Sequence, residues 1–188
     1  MLRAAGVEPE VMVSGVDEVG VIGAPSDVAL ELARRKAHAV AVLPQSLGAL
    51  VLGCDSVLDL DGLALGKPID AADAVRRWRQ MRGRRGTLVT GHWLVDLRGP
   101  TPAGVGDVDR TAVVFADVSD AEIDAYVGTG EPLGVAGAFT LDALGGWFVD
   151  GVDGAPSNVV GLSLPLLRRL LRATGVSVAD LWTAFANR

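Results

Sequence analysis

Apolar and polar residues alternate over residues 10–14, as they would in a short strand. The period then lengthens. Ala29, Leu32, Ala33, Ala37 and Val40 recur at helical spacing, with Lys36 on or beside the same stripe. Pro25-Ser26-Asp27 stands in front of them, with Ser26 the expected N-cap and Asp27 in the first turn. A long apolar run predicts a strand over Leu50–Leu60, closed by Asp61-Gly62, a strong hairpin turn, and resumed at Leu63-Ala64-Leu65. Asp70 is placed to cap a helix whose apolar face is Ala71, Ala74, Val75, Trp78 and Met81, and Gly83 ends it.

Residues 87–97 and 111–116 read as further strands, and the Gly- and Pro-rich residues 98–109 between them as a loop. Ser119-Asp120-Ala121-Glu122 is a capping box that opens a helix containing Ile123, Tyr126 and Val127. Short strands are expected over 139–141 and 147–152. Two C-terminal helices are expected from about Leu164 and Val178, capped by Ser163 and Ser177. Residues 1–6 read as the last turn of a helix stopped by Gly6, so the expected domain opens in mid-helix. Strands and helices mix without a strict repeat, which predicts an α/β fold with a mixed sheet and a single domain over residues 1–188.

Composition narrows the function. The formal charge is −6, which argues against broad electrostatic binding to nucleic acid or an anionic membrane. A polyanion would have to be handled in a local pocket, with a metal. Cys54 is the single cysteine, so no disulfide forms within the chain, as suits a reducing compartment. No signal-peptide pattern and no apolar run of membrane-spanning length is present, and a cytoplasmic location is the expectation. Of 17 basic residues only Lys36 and Lys67 are lysine, which suggests two places where a compact ammonium is required and a guanidinium will not serve.

Asp55 is the most informative single residue. It interrupts Val51-Leu52-Gly53-Cys54-Asp55-Ser56-Val57-Leu58, where a carboxylate must be paired or bound to a cation unless it faces solvent at a strand end. Gly53 beside it permits close approach of a ligand or another backbone. Asp17-Glu18 offers further carboxylates, and a few hard oxygen ligands with substrate phosphates are the usual setting for magnesium. Lys67, in Gly66-Lys67-Pro68, sits in a constrained turn from which it could reach a phosphate. Thr90, Thr111 and Ser157-Asn158 offer hydroxyls, amides and backbone donors that serve equally well as phosphate contacts or as turn and strand structure. His38 and His92 are isolated, and Cys54 has no histidine partner in the pattern.

Taken in order, Val16-Asp17-Glu18, Leu32-Ala33 with Lys36-Ala37, Gly53-Cys54-Asp55-Ser56-Val57, Gly66-Lys67-Pro68, Thr90-Gly91, Thr129-Gly130-Glu131-Pro132, Ala136-Gly137-Ala138-Phe139 and Ser157-Asn158-Val159-Val160-Gly161-Leu162 resemble the Maf family. The resemblance implies an ITPase-like fold, elongated and two-lobed with a central cleft, often as a homodimer. It also implies a hydrolase that cleaves nucleoside triphosphates to monophosphate and pyrophosphate, as a house-cleaning enzyme for non-standard nucleotides, with Mg2+ or Mn2+. Under it, Asp55 matches the proton acceptor and a metal ligand, Glu18 a metal-site acid, and Lys36 and Lys67 the phosphate site, where Thr90, Ser157 and Asn158 are further candidates.

The chain also departs from the family pattern. The Ser-x-Ser-Pro phosphate loop and the strand before it are absent. Val135 replaces a lysine, Phe139 a tyrosine, Asp142 a glutamine and Ser163 a proline. A catalytically impaired nucleotide-binding or cell-division regulatory protein is the alternative reading, and a nucleotidyltransferase the third.

Overall fold

The computed structural model describes residues 1–186. Five strands form one sheet in the order β2-β1-β3-β4-β5, namely β1 Leu50–Leu60, β2 Leu63–Leu65, β3 Arg85–Asp96, β4 Ala103–Phe115 and β5 Val149–Asp153. Every pairing is antiparallel. The helices are α1 Pro25–Ala41, α2 Ala71–Met81, α3 Asp120–Gly128, α4 Pro156–Val159, α5 Leu164–Ala173 and α6 Val178–Ala186. Helices and strands intermix along the chain as the pattern implied, while the sheet itself, expected to be mixed, is antiparallel throughout.

Period-two alternation gives β1 two different faces. Val57, with Val89 of β3, packs against Val28, Ala29 and Leu32 of α1, and Val51 and Val95 pack against Ala37. On the opposite face Leu58 and Leu88 join Trp78 of α2 and Ile123 and Tyr126 of α3, while Leu94 joins Leu166 and Leu170 of α5. Trp78 is fully buried, edge-on to Phe115, Tyr126 and Phe148 at centroid distances of 5.5–5.8 Å, and its indole N–H donates to Ala138 O at 2.8 Å. Such edge-to-face pairs add about 1 kcal/mol each to area burial.

The caps follow the sequence at Asp70, Ser119 and Ser163, whose side chains accept from the third residue on. Ser177 and Asp180 form the same reciprocal arrangement before α6. At α1 the cap differs. Ala24 is the N-cap and Pro25 takes the first helical position, where its missing N–H costs nothing, so Ser26 lies inside the helix. Residues 1–6 hold a short 3-10 turn over Arg3–Ala5, with Gly6 left-handed behind it.

Three expected elements are corrected. Residues 10–14 form no strand: no described strand pairs with them, and Val13 is 93% exposed. Residues 103–109, read as loop, are the first half of β4. Gly104 and Gly106 are there because Trp93 of β3 lies over them; a Cβ on Gly104 would stand 3.0 Å from the indole nitrogen. Residues 139–141 form no strand, because the Thr140 N–H goes to the Tyr126 hydroxyl rather than to a neighbouring chain. The strand expected over 147–152 begins at Val149, with Trp147 in the preceding 3-10 turn.

Candidate active site

β1 pairs with β2 only through Leu58, Asp59 and Leu60. Over residues 50–57 its second edge has no strand partner among the described residues. A cavity of about 600 Å³ runs along that edge, and Cys54, Asp55, Ser56 and Val57 line it consecutively because an open edge shows both faces of a strand.

Two glycines set the geometry here. Gly53 of β1 and Gly91 of β3 lie under α1, which approaches so closely that a Cβ on Gly53 would meet the Ala33 carbonyl and stand 2.6 Å from Ala37 N. A Cβ on Gly91 would stand 2.6 Å from Leu30 N. With the helix seated on bare backbone, Lys36 reaches down to Asp55, two residues along from Gly53. Its ammonium donates to Asp55 Oδ1 at 2.5 Å and pairs with Glu18 Oε1 at 2.7 Å. The Asp55 side chain is 11% exposed and that of Glu18 is 47% exposed. Two carboxylates from distant parts of the chain therefore converge on one nitrogen. Both line the cavity.

The electrostatics follow from this burial. Desolvation pushes the Asp55 carboxyl above the usual aspartate range, in spite of Lys36, while the Glu18 charge adds to the rise and Lys67 opposes it. Burial works against the Lys36 charge, but its hydrogen bonds to Asp55 and Glu18 outweigh it and hold its pKa above the usual lysine value. Cys54 is also on the wall, and burial beside Asp55 pushes its thiol up to about 12. Asp17 stands apart from this group and accepts from Val19 N at 2.8 Å in a local turn.

Lys67 lines the cavity and is exposed, and no described residue hydrogen-bonds or ion-pairs its ammonium. Its turn is fixed from below by Arg77 of α2, whose guanidinium donates to Gly66 O at 2.7 Å and pairs with Asp73 at 2.7 Å. Sequence reasoning missed Arg77, which looks like any helical arginine until the turn above it is known.

Thr90, Ser157 and Asn158 do not line the cavity. Thr90 and Asn158 are fully buried. Ser56, which does line it, bonds Thr90 hydroxyl to hydroxyl at 2.8 Å, and Thr90 donates onward to Asn158 O at 3.1 Å. The Asn158 amide donates to Leu88 O and to Thr111 Oγ1, which ties α4 to β3 and β4. Ser157 Oγ accepts from Leu164 N at 3.1 Å, at the start of α5. These residues brace the sheet one step removed from the wall. His92 is likewise buried, accepting from Ser163 N at 2.8 Å, and His38 lies exposed on α1.

Among the described residues no three His, Cys, Asp or Glu side chains gather as an ion site. The carboxylates of Glu18 and Asp55 are the oxygen donors that meet, and two such donors with phosphate oxygens suit a hard divalent cation.

Comparison with known proteins agrees with the ordered motifs. The family model described as Maf-like protein matches residues 1–174. A nucleoside triphosphate pyrophosphatase of Streptomyces coelicolor is 56% identical over 185 residues, spanning 97% of this chain and 88% of the relative. Proteins of the same name from Salinispora tropica and Mycolicibacterium gilvum are 55% and 52% identical, with 97% of this chain covered in each case and 81% and 92% of the relatives. On this match, over residues 1–174, and on the identity to these relatives, the chain belongs to the Maf-like protein family.

Proposed function

We infer that this chain hydrolyses nucleoside triphosphates to nucleoside monophosphate and pyrophosphate. The activity named in its relatives supports this, and so does one observation: a largely buried carboxylate, ion-paired to a lysine, on the wall of a cavity that also presents a lysine with no partner among the described residues.

Asp55 is the base. Its raised pKa brings a carboxylate closer to neutrality, where it accepts a proton more readily than an ordinary aspartate. It takes the proton of a water whose oxygen bonds to the α-phosphorus. The bond from that phosphorus to the bridging oxygen breaks, and pyrophosphate leaves. Lys67, with no partner among the described residues, offers its ammonium to the phosphate oxygens that gain charge. Lys36 holds Asp55 and Glu18 in register and keeps Asp55 ionised once water is displaced. Glu18 and Asp55 are the residues that would hold a Mg2+ or Mn2+ ion. Such an ion would neutralise charge on the triphosphate.

The test is pyrophosphate release by Asp55→Asn. The variant is expected to keep its fold and lose nearly all turnover, while kcat/KM of the native chain falls on acidification through a pKa above the usual aspartate range. Near-normal turnover by Asp55→Asn refutes the assignment.

A further inference from the structure

Glu131 organises a loop that no catalytic role requires. Its carboxylate accepts from the Tyr126 hydroxyl at 3.0 Å, the Thr140 hydroxyl at 2.5 Å, Gly145 N at 3.0 Å and Leu144 N at 3.2 Å. Burial opposes its charge, but these donors hold its pKa below the usual glutamate range. Thr140 and Leu144 are thus pinned to one anion, and the residues between them cannot drift. The loop packs tightly, since a Cβ on Gly145 would stand 2.6 Å from Thr140 O.

At the tip of this clamped loop is Asp142. It is exposed, lines the cavity, and has no hydrogen bond or ion pair among the described residues. It does not join Glu18 and Asp55 in any group able to hold an ion. A carboxylate and a phosphate both only accept hydrogen bonds, so the part of the nucleotide that Asp142 can hold is one that carries N–H donors. The same cavity is lined by Phe139, Leu141, Val159 and Val160, apolar walls suited to the flat face of a base.

A carboxylate can only accept hydrogen bonds, and through two oxygens at once. Among the common bases only guanine sets a ring N–H beside an amino group on one edge, so only guanine satisfies both. Resting on the pyrophosphatase reading above, we propose that Asp142 is a specificity-determining residue that accepts the N1–H and 2-amino donors of a guanine base, and that Glu131 is the positioning residue that fixes it there.

The test separates binding from turnover. Binding of the α,β-methylene analogues of GTP, ITP and UTP, which cannot be cut between the α- and β-phosphorus, is measured by calorimetry with Mg2+ present. Inosine keeps N1–H and lacks the 2-amino group. The native chain is expected to bind the GTP analogue about tenfold more tightly than the ITP analogue. Asp142→Asn should bring the two within about twofold, with the UTP analogue unchanged. Glu131→Gln touches no ligand and should erode the same GTP-to-ITP ratio. A ratio untouched by Asp142→Asn, an equal loss for all three analogues, or a native chain without guanine preference overturns the proposal. Pyrophosphate release by the native chain from GTP, ITP and UTP reports separately on the pyrophosphatase reading, which fails if none of the three is cut.

Discussion

Gly53→Ala tests whether the site depends on how closely α1 lies on the sheet. The added Cβ would meet the Ala33 carbonyl, 2.6 Å from Ala37 N and 2.9 Å from Ala37 Cβ, all helix backbone or its first carbon, none of which can swing aside. Restoring ordinary contact of ~3.5 Å requires α1 to retreat by about 1 Å. Overpacking of this kind costs about 1–3 kcal/mol, which for a chain of this length lowers Tm by about 2–12 °C. The same retreat carries Lys36 away from Asp55, whose 2.5 Å contact has no slack. A misplacement of about 1 Å at a reacting group costs on the order of 10²-fold in rate. Thermal unfolding and pyrophosphate release at 25 °C, where the variant remains folded, check both figures. Gly128→Ala is the control, because a Cβ there meets nothing within 4 Å and the residue ends α3; it should leave both quantities nearly unchanged. Native Tm together with native turnover in Gly53→Ala would mean that the helix does not rest on that glycine and that the close approach is not what sets the pair.

Lys36→Met leaves Asp55 and Glu18 facing each other without their cation. It should destabilise by about 2 kcal/mol near pH 8, below the ~3–5 kcal/mol of a fully buried pair because Glu18 is half exposed. The sign with pH is fixed by Asp55, whose folded pKa, already raised, rises further when the ammonium is gone. The Asp55 contribution to stability is then greatest below the usual aspartate pKa and is lost as pH rises through that folded pKa, so Tm should decline more, or rise less, with increasing pH in the variant than in the native chain. Cys54, with its thiol pushed up to about 12, should react slowly with iodoacetamide at pH 8 and quickly once the chain is unfolded. Equal rates in the two states would place the thiol outside the buried strand.

Much of this site could be read from the chain because charge and apolarity conflict there. Asp55 stood out as a carboxylate inside an apolar strand, and Lys36 as an ammonium beside an apolar stripe; their meeting resolves both. Gly53 signalled close approach, though not what approaches, which is the backbone of α1. What stayed hidden depends on register and on side chains that take over backbone partners. Thr90 and Asn158 were visible as polar residues, but pairing of Thr90 opposite Ser56 turns its hydroxyl inward and leaves Ser56 at the wall. Residues 103–109 looked like loop because their glycines serve Trp93, a neighbour known only once the strands are paired. Residues 139–141 looked like strand because nothing local shows that Tyr126 and Glu131 supply their hydrogen bonds.

The choice of lysine at position 36 also gains a physical account. Glu18 arrives from a loop and Asp55 from a strand, and their oxygens meet one nitrogen at 2.7 Å and 2.5 Å. A guanidinium spreads its donors over a plane and matches one carboxylate edge-on. A point charge with three rotatable donors can instead satisfy two carboxylates that come from different directions. The same reasoning separates the two lysines. Lys36 is saturated by the protein's own acids, whereas the Lys67 ammonium at this cavity has no partner among the described residues. Exchange to arginine should therefore be worst at position 36, where geometry is demanded by two partners, and milder at position 67, where a phosphate accepts either cation.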